Sequence, residues 1–309
     1  MKPRPGGPPK GFPPSPKTGQ DHRRAGSLPK PQRGPRPAQE ATAFRLLIEY
    51  DGGRFAGWQK QGPKQTAAGV RTVAGILEKI LHDAGCDALA LMGSGRTDAG
   101  VHALGQVAHL HLAAKAAPKS HELQRLFNDA LPHDLAVREV RPCSSAFHAR
   151  HDAMERSYLY QISRRRSAFA KPYIWWVKRP LDPRSLLAAW GAFQGNHDFG
   201  AFADLEPGEA PMVQVRACEA AESGSLVLLR ITATHFLRSQ VRRMVGAAVS
   251  CALGDEDPAR ILADLNAPTE EANLRWGRLA APAAGLFLER VRYSGDPETG
   301  ALRPVIPVY

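Results

Sequence analysis

Apolar and polar positions begin to form a pattern at residue 44. Residues 44–50 (FRLLIEY) make a short apolar run that predicts a strand, ended by the turn dipeptide Asp51-Gly52. Val73, Ile76, Leu77, Ile80 and Leu81 then recur at the spacing of one helical face, and Thr72 stands where an N-cap is needed. Residues 87–92 are short and apolar, which predicts a strand running into the glycine-rich stretch 93–100, and residues 106–112 resume a strand. Residues 120–130 predict a helix stopped by Pro132.

A second set of elements starts after about Arg150. Residues 156–163 (RSYLYQIS) place Tyr158, Tyr160 and Ile162 on one strand face. Asp182-Pro183 supplies an N-cap and a first-turn proline for a helix to about Phe193, with Gly195 suited to its C-terminal cap. Residues 226–234 read as a strand, residues 237–253 as a helix, Asp257-Pro258 as the start of a short helix, and residues 286–293 as a late strand. This order of strands and helices, with hairpin-like joins, predicts the α+β class rather than a parallel doubly wound sheet. No fixed-period repeat is visible, although the two halves hold comparable elements.

Composition narrows the class. The 43% hydrophobic and 23% charged fractions are near globular averages, which excludes wholesale disorder and fibrous proteins. No apolar run approaches the roughly 20 residues of a membrane span, and Pro and Gly stand where a signal peptide needs apolar residues, so a cytoplasmic protein is expected. Cys86, Cys143, Cys218 and Cys251 are far apart, without zinc-finger spacing, and read as reduced thiols. Of the formal charge of +11, +7 falls in residues 1–40, a Pro/Gly-rich stretch almost devoid of large apolar side chains. It predicts a disordered basic tail, able either to recruit a polyanion or simply to keep the chain soluble.

The most informative stretch is GSGRTDAGVHALGQ, residues 93–106. It is no dinucleotide or Walker loop, because Asp98 occupies the place of the third glycine and no Lys-Ser/Thr pair follows. It does offer a carboxylate, Asp98, and a guanidinium, Arg96, between glycines that allow a sharp turn and close approach of a bulky ligand. Arg96 or another cation would keep Asp98 ionised. On chemistry alone, an Asx-turn or cap is the more usual reading of an Asp in such a turn.

GRTDAGVHA, residues 95–103, closely resembles the signature of the TruA family of tRNA pseudouridine synthases. YDGGRFAGWQ (50–59), FHARHDAMERSYLY (147–160), FLRSQVRRMVG (236–246) and APAAGLFL (281–288) resemble further motifs of that family in the same order. Together they extend over residues 44–293. The resemblance implies a mixed, mainly antiparallel sheet with flanking helices, in two similar halves forming a central cleft. The expected boundaries are a tail over 1–40, an N-terminal catalytic half over 41–150 and a C-terminal half over 151–309.

By the same resemblance Asp98 is the catalytic carboxylate, and Arg96 helps extrude the target nucleotide. Tyr158 stacks on the uracil and is a candidate for proton removal, Arg242 pairs with Asp98 and favours its ionised form, and Leu286 lines the base pocket. Strand packing for Tyr158, a solvated helix face for Arg242 and ordinary core for Leu286 are the plain alternatives. The implied reaction is isomerisation of uridine to pseudouridine at positions 38, 39 and 40 in the anticodon arm of tRNA, by a homodimer. It conserves every atom except the exchanged C5 proton, so no cofactor and no metal is expected. Arg164, Arg165 and Arg166, and Arg238, Arg242 and Arg243 on the late helix, are candidate phosphate contacts, with Arg238 and Arg242 sharing a face at i, i+4. Gly53 stands where Thr or Ser is common in the family, and Arg238-Ser239-Gln240 where aromatic and His residues are frequent. Two rival classes remain: a nucleosidase or glycosidase, which needs a second carboxyl about 5 to 5.5 Å from the first if retaining, and a non-catalytic RNA-binding module.

Overall fold

The computed structural model describes residues 41–60, 69–114 and 117–308, and the predicted tail lies outside them. In chain order the strands are β1 (Ala41–Tyr50), β2 (Ala88–Gly93), β3 (His102–Ala113), β4 (Leu135–Pro142), β5 (Glu155–Ser163), β6 (Trp175–Trp176), β7 (Gly195–Asp198), β8 (Met212–Ser223), β9 (Leu226–Ala233) and β10 (Leu286–Arg292). The α-helices among the described residues are α1 (Val73–Asp83), α2 (Ser120–Ala130), α3 (Pro183–Gly191), α4 (Gln240–Ala252), α5 (Pro258–Asn266) and α6 (Glu270–Arg278). None is long and apolar enough to cross a membrane. All four cysteines are free thiols, as expected.

The strands form one sheet in the order β4-β1-β3-β10-β5-β9-β8-β7, with β2 also on β3 and β6 also on β5. Pairing is antiparallel except between β10 and β3 and between β5 and β6. The class is therefore the mixed, mainly antiparallel α+β arrangement expected. The last strand is the join: β10 pairs in parallel with β3 at His102 and Ala103, and antiparallel with β5 from Leu286↔Tyr160 to Arg292↔Glu155. Strands from residues 41–142 lie on one side of β10 and strands from 155–233 on the other.

Central position explains why β5 and β9 are buried at every residue. Tyr158, Tyr160 and Ile162 face the main core, as their alternation predicted, while Leu159, Leu226 and Leu228 pack with Val308 in a second cluster. A sheet buried on both faces must satisfy its polar side chains internally. Arg230 does so by a two-pronged pair with Glu289 (2.8 and 2.6 Å) and a bond to Gly300 O (2.9 Å).

Two helix boundaries differ from expectation. The helix α3 closes at Gly191 and ends in tight i to i+3 turns, so Gly195, at φ +126°, is no cap but the turn into β7. The helix α4 starts at Gln240, three residues late, because Arg238 forms a β-bridge with Asp204 and Ser239 sits in the left-handed region at φ 61°. Gly105 masked the start of β3, which runs from His102 because β10 pairs with it there. The strands β4, β6, β7 and β8 and the helix α6 had no sequence expectation.

The first of these helices' close contacts is testable at Gly246 in α4, where a Cβ would lie 1.8 Å from Leu279 O. Gly246→Ala is expected to lose about 1–3 kcal/mol in urea unfolding through overpacking, against the gain of about 1 kcal/mol that alanine normally brings to a helix. A net gain would show that the helix and the 279–281 turn are not pressed together.

Candidate active site

The loop between β2 and β3 carries Asp98, and nearly every residue of it is tied down. The Ser94 N–H donates to Val107 O (2.7 Å), Trp58 N–H to Thr97 O (3.2 Å), Gly100 N–H to Phe55 O (3.2 Å) and Val101 N–H to Asp98 O (3.2 Å). The Gln106 amide reaches back to Gly95 O (3.0 Å) and accepts from Ser94 Oγ (2.7 Å), while Tyr50 OH and Thr97 Oγ1 are 2.8 Å apart. Two glycines are required: Gly100 at φ +79°, and Gly93, whose Cβ would lie 2.6 Å from the Trp58 ring. The backbone is thereby committed, and the Asp98 side chain is not. It accepts no backbone N–H among the described residues, unlike Asp51, which accepts from Gly53 N at 2.9 Å in the turn after β1. The Asx-turn reading of Asp98 therefore has no counterpart in the structure.

All five residues singled out from the sequence line one pocket of about 580 Å³: Arg96, Asp98, Tyr158, Arg242 and Leu286. That volume is in the range of small-molecule sites. The strand β5 presents Tyr158, whose ring meets Phe236 edge-on at 5.1 Å and whose hydroxyl has no protein partner among the described residues. Leu286, the first residue of β10, closes the apolar wall. The first turn of α4 presents Arg242, whose Nε donates to Ala281 O (2.8 Å) and whose Nη1 lies 3.9 Å from Asp98 Oδ2.

Of the two cations expected near Asp98, Arg242 is the one beside the carboxylate, while Arg96 pairs with Glu206 (3.2 Å) at the exposed rim. The electrostatics differ from expectation in the net effect on Asp98, which is upward: burial raises its pKa above the ordinary 3.8, outweighing Arg242 and Arg238, while Asp204 adds to the rise. At 3.9 Å the Arg242 contact is too long to be a hydrogen bond and offsets only part of the lost hydration. Burial also raises the Tyr158 phenol far above its usual value, with Tyr50 and Asp98 adding to it, so the ring is neutral.

Other expected contacts separate. Arg243 is buried against Asp204 and Asn273 O instead of facing solvent. Arg238 precedes the helix, so it shares no helical face with Arg242, yet both line the pocket. Arg164 is paired with Glu222, and the arginine run lies at the far end of β5.

Sequence reasoning missed Arg156. It is 7% exposed, lines the pocket, and donates only to carbonyls: Thr234 O (2.7 Å), Ser94 O (2.8 Å) and Arg150 O (2.7 Å). Its position beside Tyr158 was in plain view, but two of its acceptors, Ser94 O and Thr234 O, lie more than sixty residues away along the chain. The acidic stretch holding Asp204, Glu206 and Glu209 was also missed; Glu206 and Glu209 line the pocket. Among the described residues no group of three or more His, Cys, Asp or Glu is placed to hold a metal ion.

The profile of a family described as tRNA pseudouridine synthase matches residues 46–152 and 189–294. Three relatives carry the description tRNA pseudouridine synthase A. One from Nitrobacter hamburgensis is 39% identical over 258 residues, covering 81% of this chain and 99% of the relative. One from Dictyoglomus turgidum is 34% identical over 254 residues (82% and 100%), and one from Bacillus sp. strain KSM-64 is 33% identical over 253 residues (81% and 99%).

Two outcomes are expected from the geometry. In carboxyl-detected NMR titration, Asp98 should have its midpoint above that of an ordinary aspartate, and Arg242→Gln should move it higher by removing the largest opposing charge; a midpoint that falls in the variant would contradict the arrangement. Arg156→Lys keeps the charge but not the fork, leaving buried carbonyls unsatisfied. It is expected to cost about 2–3 kcal/mol in urea unfolding, and a loss under about 0.5 kcal/mol would show that water replaces the guanidinium there.

Proposed function

The chain belongs to the tRNA pseudouridine synthase family, and from that premise we propose that it isomerises uridines 38, 39 and 40 of the tRNA anticodon arm with Asp98 as the catalytic carboxylate. The observation that carries the assignment is a half-buried carboxylate free of backbone hydrogen bonds, on an immobilised loop, in one pocket with an aromatic face, an apolar wall and a guanidinium.

Each of these parts has work to do in the reaction. A uridine in a stem is stacked and paired, so it must be extruded, at a cost of a few kcal/mol. The Tyr158 ring offsets that cost by stacking on the uracil, a contact worth about 1–3 kcal/mol per base and indifferent to neighbouring sequence. Such indifference suits an enzyme that serves three adjacent positions. Leu286 packs against the same base. At the rim, Arg96 exchanges its exposed Glu206 partner for the RNA and holds the nucleotide out; an exposed pair of this kind is worth little and is readily exchanged.

The chemistry then breaks the C1′–N1 bond, turns the uracil, joins C5 to C1′, releases the C5 proton and protonates N1. Positive charge at C1′ as the base leaves is stabilised by the Asp98 carboxylate, either across space or through a transient bond to it. Its raised pKa makes the carboxylate a stronger base and nucleophile than a hydrated aspartate, while Arg242 keeps it available in its ionised form. The neutral Tyr158 phenol serves first as a stacking wall. Residues 41–150 and 151–309 act as the two halves framing the RNA, in a cytoplasmic homodimer. Sedimentation velocity on the full chain tests the dimer, and a monomer at micromolar concentration would count against it.

Tritium release from tRNA carrying C5-labelled uridine tests the activity. Wild type should release label and retain a C-glycoside in the RNA, whereas Asp98→Ala should fall to background with its fold intact by circular dichroism. No release by wild type would refute the isomerase reading, and free uracil as product would favour a hydrolase. Release is also expected to fall toward acid pH, as Asp98 takes up a proton at a midpoint above the ordinary aspartate value.

A further inference from the structure

Beyond the pocket, residues 164–178 present chemistry that the site does not use. Arg165, Arg166, Phe169, Lys171, Trp176 and Lys178 are all exposed, and Phe169 is 95% exposed. The Trp176 ring has two cations over it, with Arg166 at 5.9 Å and Lys178 at 5.4 Å from its centroid. None of the four cations has a carboxylate partner among the described residues, whereas the neighbouring Arg164 and Arg179 are paired with Glu222 and Asp255.

The segment is anchored rather than loose. Ala170 and Ile174 are buried in the second apolar cluster, Tyr173 OH donates to Asp51 Oδ2 (3.0 Å), Gln161 donates to Tyr173 O (3.0 Å), and Trp175 packs edge-on against Tyr160. A chain held this firmly keeps the Phe169 ring in water, open to a stacking partner. Two exposed aromatic rings among unpaired cations match single-stranded nucleic acid, whose bases stack and whose phosphates take the cations. A protein partner of mainly apolar chemistry would leave those four charges without counterions.

Place matters as well. The strand β5 runs from the pocket at Tyr158 to Ser163, a rise of about 16 Å at roughly 3.3 Å per residue. Arg165, Arg166, Trp176 and Lys178 gather at that end, where Trp176 pairs with Ser163 and has Arg166 and Lys178 over its ring, while residues 171–175 fold back beside Gln161 and Asp51. A nucleotide seated at Tyr158 does not span that length of strand, whereas the body of an RNA extending from the pocket can.

Resting on the pseudouridine synthase reading, we propose that residues 164–178 form a second RNA-contact surface that takes an unpaired nucleotide and its flanking phosphates from the tRNA outside the anticodon arm. The base stacks on Phe169 or Trp176, and Arg165, Arg166, Lys171 and Lys178 take the phosphates.

The test compares two RNAs of the same target sequence, full-length tRNA and the isolated anticodon stem-loop, in wild type, Phe169→Ala/Trp176→Ala and Lys171→Gln/Lys178→Gln. Filter binding should weaken about ten-fold or more for full-length tRNA in the aromatic double variant, the loss expected for one stacked base, and stay within two-fold for the stem-loop. In the lysine variant the salt slope for full-length tRNA should fall by about 1.4, for two phosphates on a single strand. Equal affinities for full-length tRNA in all three proteins would overturn the proposal. So would equal weakening of both RNAs, or loss of the wild-type oligomer in sedimentation velocity, which would assign the surface to a second copy of the chain. The readout is binding, so it stands apart from tritium release: an inactive wild type would refute the isomerase while leaving the contact measurable.

Discussion

One buried guanidinium ties the site together. A cation out of water must have its donors satisfied, and Arg156 finds its acceptors on the loop after β2, the segment before β5 and the end of β9. One side chain thereby links all three segments. The Asp98 loop is therefore held by a charge that belongs to the opposite side of β10. Gln106, Tyr50 and the Phe55–Trp58 segment complete the fixation from the near side.

Such fixation allows Asp98 to remain half out of water with no hydrogen bond to relieve it. A flexible loop would turn the carboxylate toward solvent or onto a nearby N–H. Here the loop is pinned on both sides of Asp98, through Ser94 N–H, Gly95 O and Thr97 O before it and Gly100 and Val101 N–H after it, and Arg242 is held by Ala281 O at a distance that moderates the carboxylate without neutralising it. The raised pKa is the electrostatic signature of that arrangement.

The charge around the pocket is more balanced than the net charge of the chain implies. Arg96, Arg238 and Arg243 each have an acidic partner in Asp204 or Glu206, on the stretch between β7 and β8. Arginines counted as phosphate contacts from their sequence positions thus divide into two kinds. Arg243 is structural, buried between α4 and α6 against Asp204 and Asn273 O, while Arg96 and Arg238 are at the rim and exposed enough to change partners. A count of basic residues has no access to that division, because it depends on which carboxylates fold back onto them.

Much of the protein was legible in one dimension. The helix α1 with its Thr72 cap, the one-sided aromatic face of β5 and the α+β class follow from local periodicity and capping chemistry, which act between residues a few positions apart. The glycine-bordered carboxylate of GRTDAGVHA is a local feature too, but on spacing alone Asp98 could have been a turn residue, and its resemblance to a family signature is what singled it out. Tertiary structure alone decided what those local pieces meet. It inserted β10 between β3 and β5, started α4 late by bridging Arg238 to Asp204, gave Arg96 to Glu206 and raised rather than lowered the Asp98 pKa. Each of these outcomes depends on burial or on a partner more than thirty residues away, and neither desolvation nor long-range pairing leaves a periodic trace in a sequence.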